Sequence, residues 1–560
     1  MVKRIPITSG DLTDHQIGTD DILIGFPYGT NVVYGDAAGN LLDHAIGGDD
    51  SLSAQLVFNA PVTNPVSFNM FGDAVGNISD HANGGDDTLS IQFTYPFFPP
   101  PAVTVNMYGD AGGSISDHAS GGNDTLNVQA GPLTAMPLVN IYADAGGNLS
   151  DHAKGGDDSI TLSLGQGHFT DTVYGDAGGN LSDFARGGDD TLTASNGPER
   201  TLKFYGDAGG NMSDYAHGGN DTFIKNGSSE TNNYFYGDAG GDMSGHAAGG
   251  NDVFTMRGSE TDNFFYGDAG HNMSDFAKGG DDTYNQTTGT SFPNVFYGDA
   301  GGNMSGHARG GNDTFNKTGG EGSTFYGDAG GNMSDYAHGG NDTFQAATGP
   351  SPFNQNVFYG DAGGNMGDHT VGGDDTYIGG DASASTLSKA YGDALTMSGH
   401  AQGGNDTLIG GNDPTPPPAG TFDTLLVGDA QTMSGNACGG NDTLASGTGN
   451  DDMWGDAQVM LGNVKGGNDN FVFNFNSGHD RIEDFGQGVC GPGPSLGTDH
   501  IDVSALGITN FSQLNISAFD PTTHESTITF SPGNDVVVHS QEALRPQDFI
   551  VAPHDYHLLI

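Results

Sequence analysis

The chain has 560 residues, with 70 Asp and Glu against 15 Lys and Arg, for a net charge of −55. That charge excludes nucleic acid as a natural partner, because phosphate contacts are made by Lys and Arg, and no run of about twenty apolar residues is present to span a membrane. Cys438 and Cys490, the two cysteines, cannot make a disulfide framework.

Residues 1–32 are too short for a domain and are expected to cap the chain that follows. Lys3 and Arg4 precede no apolar stretch, so no ordinary signal peptide is expected. Ile22-Leu23-Ile24 reads as a first strand that shields the open end of a stack.

From residue 33 to 470 one pattern recurs, best seen at Tyr205–Phe223, YGDAGGNMSDYAHGGNDTF. A first fixed acid follows Gly (once Ala) and precedes Ala: Asp36, Asp73, Asp110, Asp144, Asp176, Asp207, Asp238, Asp268, Asp299, Asp328, Asp361, Asp393, Asp429 and Asp456. A second closes Gly-Gly-[Asn/Asp]-Asp: Asp50, Asp87, Asp124, Asp158, Asp190, Asp221, Asp252, Asp282, Asp313, Asp342, Asp375, Asp406, Asp442 and Asp469. The period runs from 27 to 37 residues and sits near 31. A repeat of that length signals a solenoid. Each unit reads as strand, long Gly-rich turn, strand and variable return. The expected fold is therefore all-β, a parallel β-roll or β-helix solenoid of about 14 repeats.

Three apolar columns are expected to stack into a thin core. Large rings stand two residues before the first acid (Tyr34 to Trp454). Leu52 to Phe471 follow the second acid, and Leu41 to Met460 lie between the acids. A fourth column, His44, His81, His118, His152, His246, His307, His369 and His400, looks at first like metal ligands. Its equivalents Phe184, Tyr215, Phe276 and Tyr336 cannot replace imidazole on zinc, so ring stacking is the better account. A middle acid (Asp43, Asp80, Asp183, Asp214) gives way to Gly245, Gly306, Gly399 or Gly435 and is read as secondary. The returns vary most, from the apolar Ile91–Val105 to the polar Asn226–Asn233, as loops that meet partners do. A Pro-rich run, Pro414–Pro418, interrupts one of them.

Residues 471–560 change texture, with alternating apolar residues at Arg481–Phe485, Asp499–Gly507, Asp535–Val538 and Asp548–Ile550. They read as a small C-terminal β piece.

Of the acids, seven are Glu and 63 Asp. Short Asp beside Gly suits tight turns and oxygen ligation of a hard cation, which takes six to eight oxygens from carboxylates and backbone carbonyls. The twenty-eight fixed acids are thus the candidate ligands, in sites between stacked turns. One divalent ion per repeat would bring about +28 and two about +56, so a folded form without metal is expected to be strained. The alternation beside the second acid (Asp49, Asp86, Asn123, Asp157, Asn220) points to a position that needs an oxygen, not a charge.

The closing GGNDTL and GGDDTL resemble a shortened haemolysin-type, or RTX, calcium-binding nonapeptide, with Gly219 in its third glycine slot, Asp221 as ligand and Phe223 as the apolar position. Ala216 and His217 stand where that motif has glycines, and the period exceeds the family's. GDAGGN resembles a variant half-repeat, with Asp207 or Asn211 as ligand. The segments FVF, GHDRIEDF, IDVSALG and DFI from Phe471 resemble the C-terminal region of RTX proteins exported by type I secretion. The resemblance implies a β-roll that folds on Ca2+ outside the cell after passage through type I machinery. A secreted structural protein of the cell surface or matrix is the leading expectation, with copies of itself or surface polysaccharide as partners. A calcium-dependent adhesin or carbohydrate- or ice-binding module is the alternative. An enzyme is disfavoured, because every His and Asp column is repeated and general acid–base chemistry needs a unique cluster.

Overall fold

The computed structural model describes residues 10–18, 22–25, 30–57, 65–94, 102–130, 137–165, 169–196, 200–227, 232–257, 263–287, 294–319, 322–346, 355–380, 387–412, 421–488 and 494–553. Pro414–Pro418, Cys490 and much of each return lie outside them. The chain divides into two compact units, Met1–Phe292 with Asp299–Gly302, and Pro293–Gly298 with Asn303–Ile560. It is a parallel β-solenoid.

In the first unit each coil adds one strand to each of two parallel ladders. One ladder holds the strands after the second fixed acid, such as Thr191–Asn196, Thr222–Asn226 and Val253–Arg257, with Leu192, Phe223 and Phe254 in register. The other holds the strands before the first acid, such as Phe169–Tyr174, Arg200–Tyr205 and Asn233–Tyr236. Between them, single bridges join like residue to like residue along the turns, Ala177 to Ala208 to Ala239 and Leu181 to Met212 to Met243. Alternation of apolar and polar residues with period two explains which side chains turn inward. The expected first strand exists: Ile22–Gly25 pairs in parallel with Ser51–Val57. Residues 10–18 run as a partial coil, with Leu12 and Ile17 bridged to Leu41 and Ile46.

The second unit repeats both ladders. From Ala362–Met366 onward the bridges widen into a third parallel sheet with Ala394–Met397, Ala430–Gly435 and Ala457–Gly462. His479–Phe485 and His500–Asp502 extend the two ladders by another coil. The ending comes with the hairpin of Glu525–Ser531 and Asn534–Ser540, whose antiparallel pairing no further coil can extend.

Two of the three expected core columns are buried, the one from Leu52 to Phe471 and the one from Leu41 as far as Met433, its last member Met460 being only partly buried. The ring column is corrected. In most coils the residue just before the ring enters the core (Phe204, Phe235, Phe265), because the pleat turns its neighbour outward. Tyr108, Tyr142, Tyr174, Tyr205, Tyr236 and Tyr266 lie half-buried on the outside, stacked at 4.7–5.0 Å with planes within 3–11°. Each ring also covers a glycine of the next coil: a Cβ on Gly209 would overlap the ring of Tyr174.

The His column packs ring on ring, tilted or edge-on from His44 to His152 at 4.7–5.0 Å and stacked beyond it. In the first unit His152, Phe184, Tyr215, His246 and Phe276 follow one another at 4.8–5.2 Å. Phe184 and Tyr215 remain 51% and 48% exposed, so the column is a surface stack and not a core.

Candidate functional site: two rows of buried carboxylates

All twenty-eight fixed acids point into the solenoid, none more than 3% exposed. They form two rows. The first is clamped within its own coil: the second glycine of the closing motif donates its N–H to it, as in Gly219 to Asp207 at 2.9 Å and Gly250 to Asp238 at 2.9 Å. The clamp spans twelve residues in most coils and eleven from Asp393 onward, which explains why the acid-to-glycine spacing is kept while the returns vary. The second row is tied between coils. Asp190 N–H donates to Asp221 Oδ1 at 2.7 Å, and Asp221 N–H to Asp252 Oδ1 at 2.7 Å. The same bond runs from Asp342 through Asp375, Asp406 and Asp442 to Asp469 in the second unit.

These bonds use one oxygen of most of the carboxylates; Asp176 shares the Gly188 N–H between both of its own. The other oxygen of Asp207, Asp221, Asp238 and Asp252 is buried with no hydrogen-bond partner, and the same holds for Asp361, Asp375, Asp393 and Asp406. A buried carboxylate oxygen without a donor is costly. The repetition of this cost in coil after coil is the signal at this site. The glycines mark where carboxylate oxygens converge. A Cβ on Gly206 would overlap Asp221 Oδ2 and the carbonyl oxygen of Gly237, and one on Gly218 would overlap Asp238 Oδ1 and crowd Asp207 Oδ2. Carboxylate and carbonyl oxygens from adjacent coils therefore meet in spaces that only glycine leaves open.

The electrostatics agree. Burial pushes the Asp207 carboxyl well above the usual range, and the charges of Asp221, Asp238 and Asp176 add to the rise. Burial also raises Asp238 to about 6, Asp176 and Asp361 to about 7, and Asp469 to about 8. Neighbouring members of the first row, such as Asp176 and Asp207, lie close enough to share a proton. Two ionised carboxylates one coil apart, about 4.8 Å, repel by about 3 kcal/mol at an effective dielectric of about 20. The fully ionised rows need a cation or a proton between their members.

The donors are all oxygen, which suits a hard cation and neither zinc nor copper. No three His, Cys, Asp or Glu side chains converge into a metal cluster among the described residues. An ion between coils would thus take carboxylates from the rows and complete its shell with backbone carbonyls. Substituting Gly206→Ala should push a methyl into one such space. The expected cost is roughly 1–3 kcal/mol, read as a fall in melting temperature in Ca2+, with reduced ion uptake by calorimetry.

The remaining conserved-looking positions of the repeat have structural explanations. Asp43, Asp80, Asp183 and Asp214 have φ of 62–66°, and Gly245, Gly306, Gly399 and Gly435 have φ of 69–75°. The position is left-handed, which is why Asp alternates with Gly there. The Asx beside the second acid is exposed and accepts the N–H of its counterpart one coil on: Asp86 to Asp49 at 3.1 Å, Asn123 to Asp86 at 2.9 Å, Asp157 to Asn123 at 2.9 Å. It needs an oxygen only. Asn211 is likewise exposed, accepting the N–H of Asp242 at 2.9 Å, so of the two alternatives in that half-repeat only Asp207 faces the buried rows.

The rows run further than the sequence reading placed them. Asp469 N–H donates to Asp499 Oδ1 at 3.0 Å, and Asp499 Oδ2 accepts Gly486 N–H at 2.6 Å. Asp484 accepts the N–H groups of Gly455 at 2.7 Å and Asp456 at 3.1 Å, closing the first row. Gly497-Thr498-Asp499-His500-Ile501 carried the signal, a closing motif with one glycine lost. The chain matches no protein-family model, no curated protein and no solved structure.

Proposed function

We propose that this chain is a calcium-binding structural protein of the cell surface or extracellular matrix, whose solenoid folds when Ca2+ enters the carboxylate rows. The observation that carries the reading is the recurrence of buried Asp oxygens without donors, at glycine-lined spaces, in successive coils of both units. Oxygen ligands of this kind suit Ca2+ more than Mg2+, which demands near-ideal octahedral geometry and gives up its waters reluctantly. Binding that neutralises the rows is coupled to folding. The RTX resemblance of the repeats and of the C-terminal segments supports export by type I machinery into a calcium-rich medium. Regular outer surfaces suit assembly with copies of the same chain or adhesion to surface polysaccharide. Repetition of every titratable column argues for a scaffold over an enzyme.

Equilibrium dialysis with the full chain in millimolar CaCl2 tests the reading. The expected result is uptake of many ions per chain, about one or two per repeat. Uptake of none or one, with the fold intact, would sink it.

A further inference from the structure

The outer ring column is not uniform along the first unit. It begins with His15, His44, His81, His118 and His152, imidazoles in five successive coils, before Phe184 and Tyr215 enter it. Stacking accounts for the later stretch, where Phe184, Tyr215, His246 and Phe276 follow one another with planes within 5–10°. It does not account for the earlier one. The centroids there keep a spacing of 4.6–5.0 Å, but the angle between neighbouring planes opens along the run from 10° to 30°, 52° and 86°. If the position required only packed faces, Phe or Tyr would serve there as they do later.

The backbone holds these imidazoles one above another. His81, His118 and His152 donate their N–H to the carbonyls of Asp43, Asp80 and Asp117 one coil back, at 2.7, 2.8 and 2.7 Å. All five histidines are exposed. His118 Nδ1 lies 3.2 Å from the carbonyl oxygen of Asp117. A carbonyl only accepts, so Nδ1 carries the proton in this contact and Nε2 presents its lone pair. A hydrogen bond of that kind is what orients a metal-ligating histidine. Beside each ring stands an exposed acid, Asp14, Asp43, Asp80, Asp117 or Asp151, at a left-handed φ of 54–66°. This row of negative charge draws divalent cations to the strip.

We infer that the run from His15 to His152 is a binding strip for borderline divalent ions, Zn2+, Ni2+ or Cu2+, each held by imidazole nitrogens of two adjacent coils and completed by water. Imidazole suits these ions, whereas the buried carboxylates suit a hard one. Two side chains meet at each site rather than three, consistent with the lack of a larger cluster among the described residues. The sites are therefore open and exchangeable. Five imidazoles in neighbouring pairs hold two ions and leave one ring over. The strip uses none of the twenty-eight fixed acids, and it rests on the proposed function only for coils folded in Ca2+.

Zinc calorimetry on the full chain, with CaCl2 in millimolar excess, compares the wild type with His44→Phe/His118→Phe. The double variant keeps His15, His81 and His152 but separates them by a ring that later coils carry in the same column. No two imidazoles of the run then remain neighbours, while ring packing is kept. The expected result is uptake of two Zn2+ by the five imidazoles of the wild type and loss of both in the variant, with the strand signal and the calcium count unchanged. If that variant does not fold, His44→Asn/His118→Asn, which places there the residue found at Asn436, is expected to lose the same ions. A folded variant that binds Zn2+ as the wild type does overturns the inference. So does a wild type that takes up none. Neither result touches the calcium reading, which the dialysis count decides separately.

Discussion

Stripping divalent cations at neutral pH should unfold this chain. Dialysis against a chelator at pH 7 and low salt is expected to abolish the strand signal in circular dichroism, and returning CaCl2 to millimolar levels is expected to restore it. The reason is the size of the linkage. A site at a ligand concentration a hundredfold above its dissociation constant stabilises the folded state by about 2.7 kcal/mol. Six such sites already exceed the roughly 5–15 kcal/mol that holds an ordinary domain, and the fixed acids number twenty-eight, all buried. Without ions the same acids add repulsion, and Asp207, Asp221, Asp238 and Asp252 among them keep a buried oxygen without a donor. The unfolding should be steeply cooperative in Ca2+, because each ion would join adjacent coils. A strand signal that survives chelation at pH 7 would show that the rows are neutralised by something other than metal.

Acid should rescue the stripped chain. The fixed carboxyls have folded-state values above the ordinary 3.8: about 6 for Asp238, about 7 for Asp176 and Asp361, and about 8 for Asp469, with burial as the main cause. A folded state that holds its protons more tightly than the unfolded chain is favoured at low pH. That contribution is complete below the unfolded value and disappears as pH rises through the folded ones. The metal-free protein is therefore expected to regain strand structure at pH 5, above its isoelectric point of 4.1, and to lose it progressively between pH 5 and 8. Calcium reverses the dependence, since ligands must be ionised and affinity rises with pH. A metal-free chain equally unfolded at pH 5 and pH 8 would mean that protons cannot stand in for cations in the rows.

Much of this was legible from repetition. Fourteen copies served as their own comparison, so Asp207 and Asp221 could be separated from the exchangeable Asp214, and the structure buries the first two and places the third in a left-handed turn. Ring stacking in the His column was readable from Phe184 and Tyr215 alone. What sequence could not supply was which face a ring occupies. Tyr205 and Phe204 are both apolar neighbours, and only strand register decides that Phe204 points inward. Asp484 and Asp499 escaped notice because their coil has lost a glycine.

The half-buried tyrosines have a consequence for light. Six nearly parallel phenols at 4.7–5.0 Å in the first unit form a chiral array of identical chromophores whose transitions couple as excitons. Their near-ultraviolet couplet exists only while adjacent coils stay in register, so the protein carries its own optical gauge of stacking, independent of backbone absorption.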